Sequence, residues 1–305
     1  MIVEVLVVAG LSLGQSGVYA VVRLLDLLSR APLSEAQANL NTSANDRPWF
    51  DLTYQLLGIG FALVPVALVL LLLSRDRMLR GTHADADASA VRRSLPEHSL
   101  PEHSRPEHSL PAHAQAPWAQ HPQPSVLSRL GVAGGRRAGH DLGRGVVLLL
   151  VIGAGTLGVY AAGRALGLTA QINTDNLGAH WWTVPVLVLA AVKNSLLEEV
   201  LLMGYFRIRL HALGWSPWTV IVALAVLRGS YHLYQGVGPF VGNVAMGLIF
   251  GGCALRWERS RPTGTGSAVG GGPGSAIMPF VWAHFLIDVI GFTAPGVLHL
   301  VDPLG

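Results

Sequence analysis

Glu198 and Glu199 stand side by side within one apolar run, and His232, His284 and Asp288 lie within later ones. An ionisable side chain in a membrane-crossing segment costs about 3 kcal/mol on insertion scales, so each needs a compensating purpose. A glutamate beside a histidine can take a proton from water and later return it to a leaving amine. A second histidine, with a carboxyl or amide, can orient that water or steady the oxyanion that forms. These are the parts of a peptide-bond hydrolase. The candidate catalytic set is Glu198, Glu199, His232, His284 and Asp288, with Arg228 and Asn243 in support. Lys193 shares the glutamates' run, and it and Arg228 read as charge partners rather than reactants.

The same groups suit a divalent metal. Zn²⁺ accepts His and carboxylate ligands and acidifies a bound water. If one is held, its ligands are Glu199, His232 and His284. No His-Glu-x-x-His pattern is present, so the common zinc-protease motif is absent. Glutamate catalysis without a cofactor and zinc-assisted catalysis both stay open on the residues alone. So does a proton-coupled transporter built on the same carboxylates, although inverted repeats are not visible.

Spacing narrows the geometry. His284 and Asp288 are four apart and share a helical face, as do Arg228 and His232. Glu198 and Glu199 point about 100° apart, so one can act on substrate while the other orients a partner. Asn194 and Lys193 add polarity to the glutamates' run, and Asn243 lies on the run before His284. The first half of the chain carries almost no such groups inside its apolar runs, so the last four runs must converge on one hydrated cavity.

The elements that position these residues are seven apolar runs, at about 2–25, 52–74, 145–165, 183–206, 217–235, 238–256 and 277–294. Each is near the ~20 residues that a helix needs to cross a bilayer. Period-2 alternation is absent, which argues against sheets. The chain is 51% hydrophobic and 13% charged, where soluble domains carry about 25% charged residues. The expected fold is an all-α, polytopic transmembrane bundle of about seven to eight helices. Its first helix reads as retained rather than as a signal peptide, because no basic residue precedes it and Arg23 follows.

Three parts are expected: a two-helix membrane segment over 1–74, a disordered loop over 75–144, and a catalytic membrane domain over 145–305. The loop holds tandem Ser-Leu-Pro-Glu-His units from Ser94. Proline at every fifth residue excludes a regular helix, and the histidines read as solvated repeat rather than metal site. A second soft loop covers 262–276. The arginines sit mainly at the ends of apolar runs, which is the signature of topology and not of nucleic-acid binding. Counting them places the 75–144 loop and the N-terminus on the cytoplasmic side of the cell membrane, with Trp181 and Trp182 at the opposite interface. Cys253 is the single cysteine, so no intrachain disulfide forms.

Three segments, each on its own run, resemble the signature motifs of the CPBP family, the CAAX proteases and bacteriocin-processing enzymes related to the prenyl-protein endopeptidase. They are Glu198-Glu199-Val200-Leu201-Leu202-Met203, Arg228-Gly229-Ser230-Tyr231-His232 and His284-Phe285-Leu286-Ile287-Asp288. The resemblance covers about 145–290. It implies a site inside the bundle and a peptide or lipidated protein tail as substrate. Glu198 resembles the water-activating base and Glu199 its supporting carboxylate. His232 resembles the second-motif histidine, and His284 with Asp288 the third-motif pair. Met203 stands where the family carries arginine, and Arg228 where it carries phenylalanine. We read these as one exchange, with the guanidinium moved to the neighbouring helix. The same fold also serves non-proteolytic immunity or scaffold proteins, which is the alternative reading.

Overall fold

The computed structural model describes residues 1–30, 32–75, 130, 136–173, 180–260 and 277–301, with side chains undescribed at 39, 136–137, 171–173 and 294–301. The loops expected at 75–144 and 262–276 lie almost wholly outside these residues. Every apolar run is helical. The helices are α1 (Ile2–Gly10), α2 (Leu13–Arg30), α3 (Pro48–Arg75), α4 (Arg136–Ala165), α5 (Thr183–Glu199), α6 (Arg207–Ala212), α7 (Pro217–Ser230), α8 (Val237–Arg259) and α9 (Met278–Val301). Among the described residues, three helices are long and apolar enough to cross a membrane, Pro48–Arg75, Ala138–Ala165 and Val237–Arg259, and α1 with α2 makes a fourth if the bent pair is one span. The protein is an all-α membrane helix bundle.

The run at 2–25, expected as one straight helix, bends by 48° between α1 and α2. Gly14 permits the bend, since a Cβ there would lie 2.6 Å from the Ala9 carbonyl oxygen. The Ser12 hydroxyl takes up the Val8 carbonyl at 2.6 Å. The small β element was not anticipated either. Gln37–Asn39 and Gln171–Asn173 pair in parallel, outside the apolar runs, with Ala38 opposite Ile172.

The bundle's two ends differ in chemistry. At one end Glu4 accepts from the Tyr205 hydroxyl at 2.8 Å and pairs with Arg209 at 2.8 Å. Arg207 pairs with Glu258, and the Arg144 guanidinium lies 4.4 Å over the Trp257 ring. The start of α1, the end of α8, α6 and the start of α4 therefore meet at one face, as the arginine pattern requires. At the opposite end Trp49 and Trp182 lie 4.9 Å apart, and Trp181 is exposed.

Helix α7 starts at a Ser-Pro signal: Ser216 Oγ accepts from the Thr219 amide at 3.2 Å, and Pro217 occupies the first turn. It packs on α8 through small residues. A Cβ at Gly247 would lie 2.7 Å from Ala225 Cα, and one at Gly251 would lie 2.6 Å from Ile221 Cγ2. A Cβ at Gly242 or Gly252 would have nothing within 4 Å. Gly247→Val forces a branched side chain against backbone and is expected to cost about 1–3 kcal/mol. Thermal unfolding in detergent checks this, and an unchanged midpoint would contradict the packing.

Candidate active site

The glutamate pair ends α5, and the chain continues without a break as a π-helix over Val200–Phe206, all seven residues buried. Wider π turns shift helical register and recur at functional sites. Gly204 within the segment weakens the regular alternative. Both carboxylates consequently reach one cation despite being adjacent in sequence. The Arg228 guanidinium lies 2.5 Å from Glu199 Oε1 and 3.9 Å from Glu198 Oε2.

Glu199 is wholly buried. Its Oε1 also faces His284 Nδ1 at 2.9 Å. On the next turn of α9, Asp288 Oδ1 lies 3.7 Å from His284 Nε2, too far for a hydrogen bond but near enough to bias the ring's charge. Asp288 is fixed from α5, where Asn194 Nδ2 donates to its Oδ2 at 3.0 Å. Three helices thus hold a chain of contacts running from Arg228 through Glu199 and His284 to Asp288 and Asn194.

Glu198 is held differently. The Tyr231 hydroxyl donates to its Oε2 at 2.6 Å. Its side chain keeps 10% of its surface exposed, against 0% for Glu199. Of the two carboxylates, only Glu198 can therefore meet a substrate without rearrangement. Tyr231 itself escapes sequence reasoning, because an aromatic residue beside His232 reads as packing. The one available signal is its position three residues beyond Arg228.

His232 does not share a helical face with Arg228, contrary to the reading from spacing. Helix α7 stops at Ser230, and His232 precedes a short 3₁₀ turn, Leu233–Gln235. Gly236 ends that turn at φ +106, where a Cβ would meet the Leu168 carbonyl oxygen at 2.9 Å. The turn is anchored by the Ala170 amide donating to Gln235 and the Val237 amide donating to Leu168. The His232 ring sits 4.9 Å from that of Tyr231, and its Nε2 is buried with no protein partner. Arg228 Nη1 and Glu199 Oε2 are buried without hydrogen-bond partners as well. Asn243 turns back on its own helix, donating to the Pro239 carbonyl at 3.0 Å.

Among the described residues, the donor atoms that cluster within 4.8 Å of one another belong to Glu198, Glu199 and His284. His232, read from the sequence as a metal ligand, is outside that trio because it sits in the turn. The trio suits a divalent cation by donor type. One oxygen of each carboxylate is already engaged, Glu199 Oε1 by Arg228 and His284 and Glu198 Oε2 by Tyr231. A dication there would sit against a guanidinium that already offsets the carboxylate charge.

Paired glutamates, an arginine and two histidines gathered among the helices of a membrane bundle supply the acid, base and cationic groups that hydrolytic chemistry uses. Residues 180–290 match the family model described as type II CAAX prenyl endopeptidase Rce1-like. The matched segment contains Glu198, Glu199, Arg228, His232, His284 and Asp288. It begins well after α4, so the match is shorter than the resemblance over 145–290. No curated protein and no solved structure matches the chain.

Proposed function

We propose that this protein is an intramembrane endopeptidase that hydrolyses a peptide bond in a CAAX-type tail, with water activated by Glu198. The observation that carries the reading is the contrast within the pair: Glu198 is partly open and oriented by Tyr231, while Glu199 is sealed between Arg228 and His284. Glu198 takes a proton from water as the oxygen attacks the amide carbon. The tetrahedral oxyanion is met by donors from Arg228 Nη1 and His232 Nε2, both buried and without a hydrogen-bond partner. Collapse breaks the C–N bond, and Glu198 passes its proton to the departing nitrogen, leaving a new carboxylate and a new amine. Glu199, His284 and Asp288 hold Arg228 in place. The positive charge comes from Arg228, so no metal is needed. The arginine-bearing end faces the cytoplasm of the cell membrane, and residues 145–305 form the catalytic unit.

The test is incubation of the purified protein in detergent with prenylated CAAX peptides, with and without chelator. A defined cleavage product, undiminished by chelator, is the expected result. A pure transport or scaffold function would give none. Activity lost on chelation and restored by zinc would overturn the metal-free step.

Tyr231→Phe removes one hydrogen bond to a charged group, worth about 1.5–3 kcal/mol. The expected loss is about 10- to 100-fold in kcat with KM little changed. Steady-state kinetics would show it, and an unaltered kcat would remove Tyr231 from the mechanism.

A further inference from the structure

Lys193 is the chain's single lysine, half-buried on α5. The other buried cations here have acid partners: Arg207 with Glu258, Arg209 with Glu4, and Arg228 with both glutamates. Lys193 makes no ion pair or hydrogen bond among the described residues; Asp288 and Glu198 act on it only through space. Asp288 is held instead by the neighbouring Asn194. Desolvating an ammonium without a direct partner is costly, and an anionic ligand would offset that cost.

We propose that Lys193 binds the C-terminal carboxylate of the substrate tail. The proposal rests on the endopeptidase reading above. Lys193 precedes Glu198 by five residues, which is about 7.5 Å along the helix axis, toward the tryptophan-bearing end. The ammonium stem adds a few ångströms of reach. An extended peptide advances about 3.3–3.6 Å per residue, so three residues span about 10 Å. A CAAX tail ends three residues beyond its cysteine. With the amide after that cysteine placed at Glu198, the tail's terminal carboxylate reaches the level of Lys193 along the helix axis. A terminal carboxylate is present whatever the last side chains are, so a single fixed cation can read the end of the tail without reading its sequence.

Binding and cleavage separate the two claims. Dissociation constants are measured by fluorescence anisotropy for two labelled prenylated peptides, identical except for a free carboxylate or a carboxamide at the C terminus. The full-length protein carries Glu198→Gln so that neither peptide is consumed. The acid is expected to bind at least tenfold tighter than the amide. Adding Lys193→Gln should bring the ratio near one, and Lys193→Arg should keep it. Equal binding of the two peptides by the Lys193 protein would overturn the proposal without reference to any second variant. So would a preference that survives Lys193→Gln, or an amidated peptide ending in aspartate that binds as well as the free acid. Product formation by the protein with Glu198 intact tests the endopeptidase reading on its own, so failure of one claim is distinguishable from failure of the other.

Discussion

Glu198→Gln is expected to lower the cleavage rate by about 10²- to 10⁴-fold, the range a positioned general base supplies. Glutamine keeps the volume and still offers an oxygen to the Tyr231 hydroxyl, so the bundle should fold and its unfolding midpoint should move little. What it loses is the ability to accept a proton from water. Glu199→Gln is the informative contrast. Glu199 is fully buried and shared by Arg228 and His284, so its replacement should lower stability as well as rate. Paired measurement of kcat and thermal midpoint for both variants checks the division of labour. A Glu198→Gln protein that cleaves at the full rate would end the base assignment.

Arg228→Phe is expected to be the most disruptive single change in stability. It leaves the fully buried Glu199 carboxylate without its guanidinium. Removing one partner of a buried ion pair costs about 3–5 kcal/mol. Cleavage should fall too, because a donor to the oxyanion is lost. The second part of this prediction concerns Met203, buried in the π segment four residues beyond Glu199. If the arginine has moved between neighbouring helices, Met203→Arg added to Arg228→Phe should recover a substantial part of the lost stability. Unfolding midpoints of the single and double variants in detergent measure this. A double variant no better than Arg228→Phe alone would refute the exchange.

The helices and the identity of the clustered groups were legible in the sequence, for a physical reason. Apolar runs near bilayer length leave few options, and charges inside them are too costly to be incidental. Glu199, Arg228 and His284 could be expected to converge on those grounds alone. Local backbone irregularities were not legible. The π segment after Glu199, the stop at Ser230 and the bend between α1 and α2 each depend on tertiary neighbours: Leu168 against Gly236, or Ala9 against Gly14. These irregularities decided the finer points. Ending α7 early took His232 off Arg228's face and placed Tyr231 on Glu198. The direction Asn243 takes was not legible either, because an asparagine in a helix can donate to the carbonyl one turn back, and periodicity carries no sign of that choice.

The short α7 bears on what must border the turn that carries His232. Its 14 residues rise about 21 Å, while the hydrocarbon layer is about 30 Å thick. The turn bearing His232 therefore stops some way below the surface at the tryptophan-bearing end. Irregular backbone at that depth is tolerated only when it is covered by protein or borders water. Residues 168–170 cover one side of the turn through their backbone bonds. The rest of that requirement falls on the turn's remaining side, where protein or water must meet the backbone.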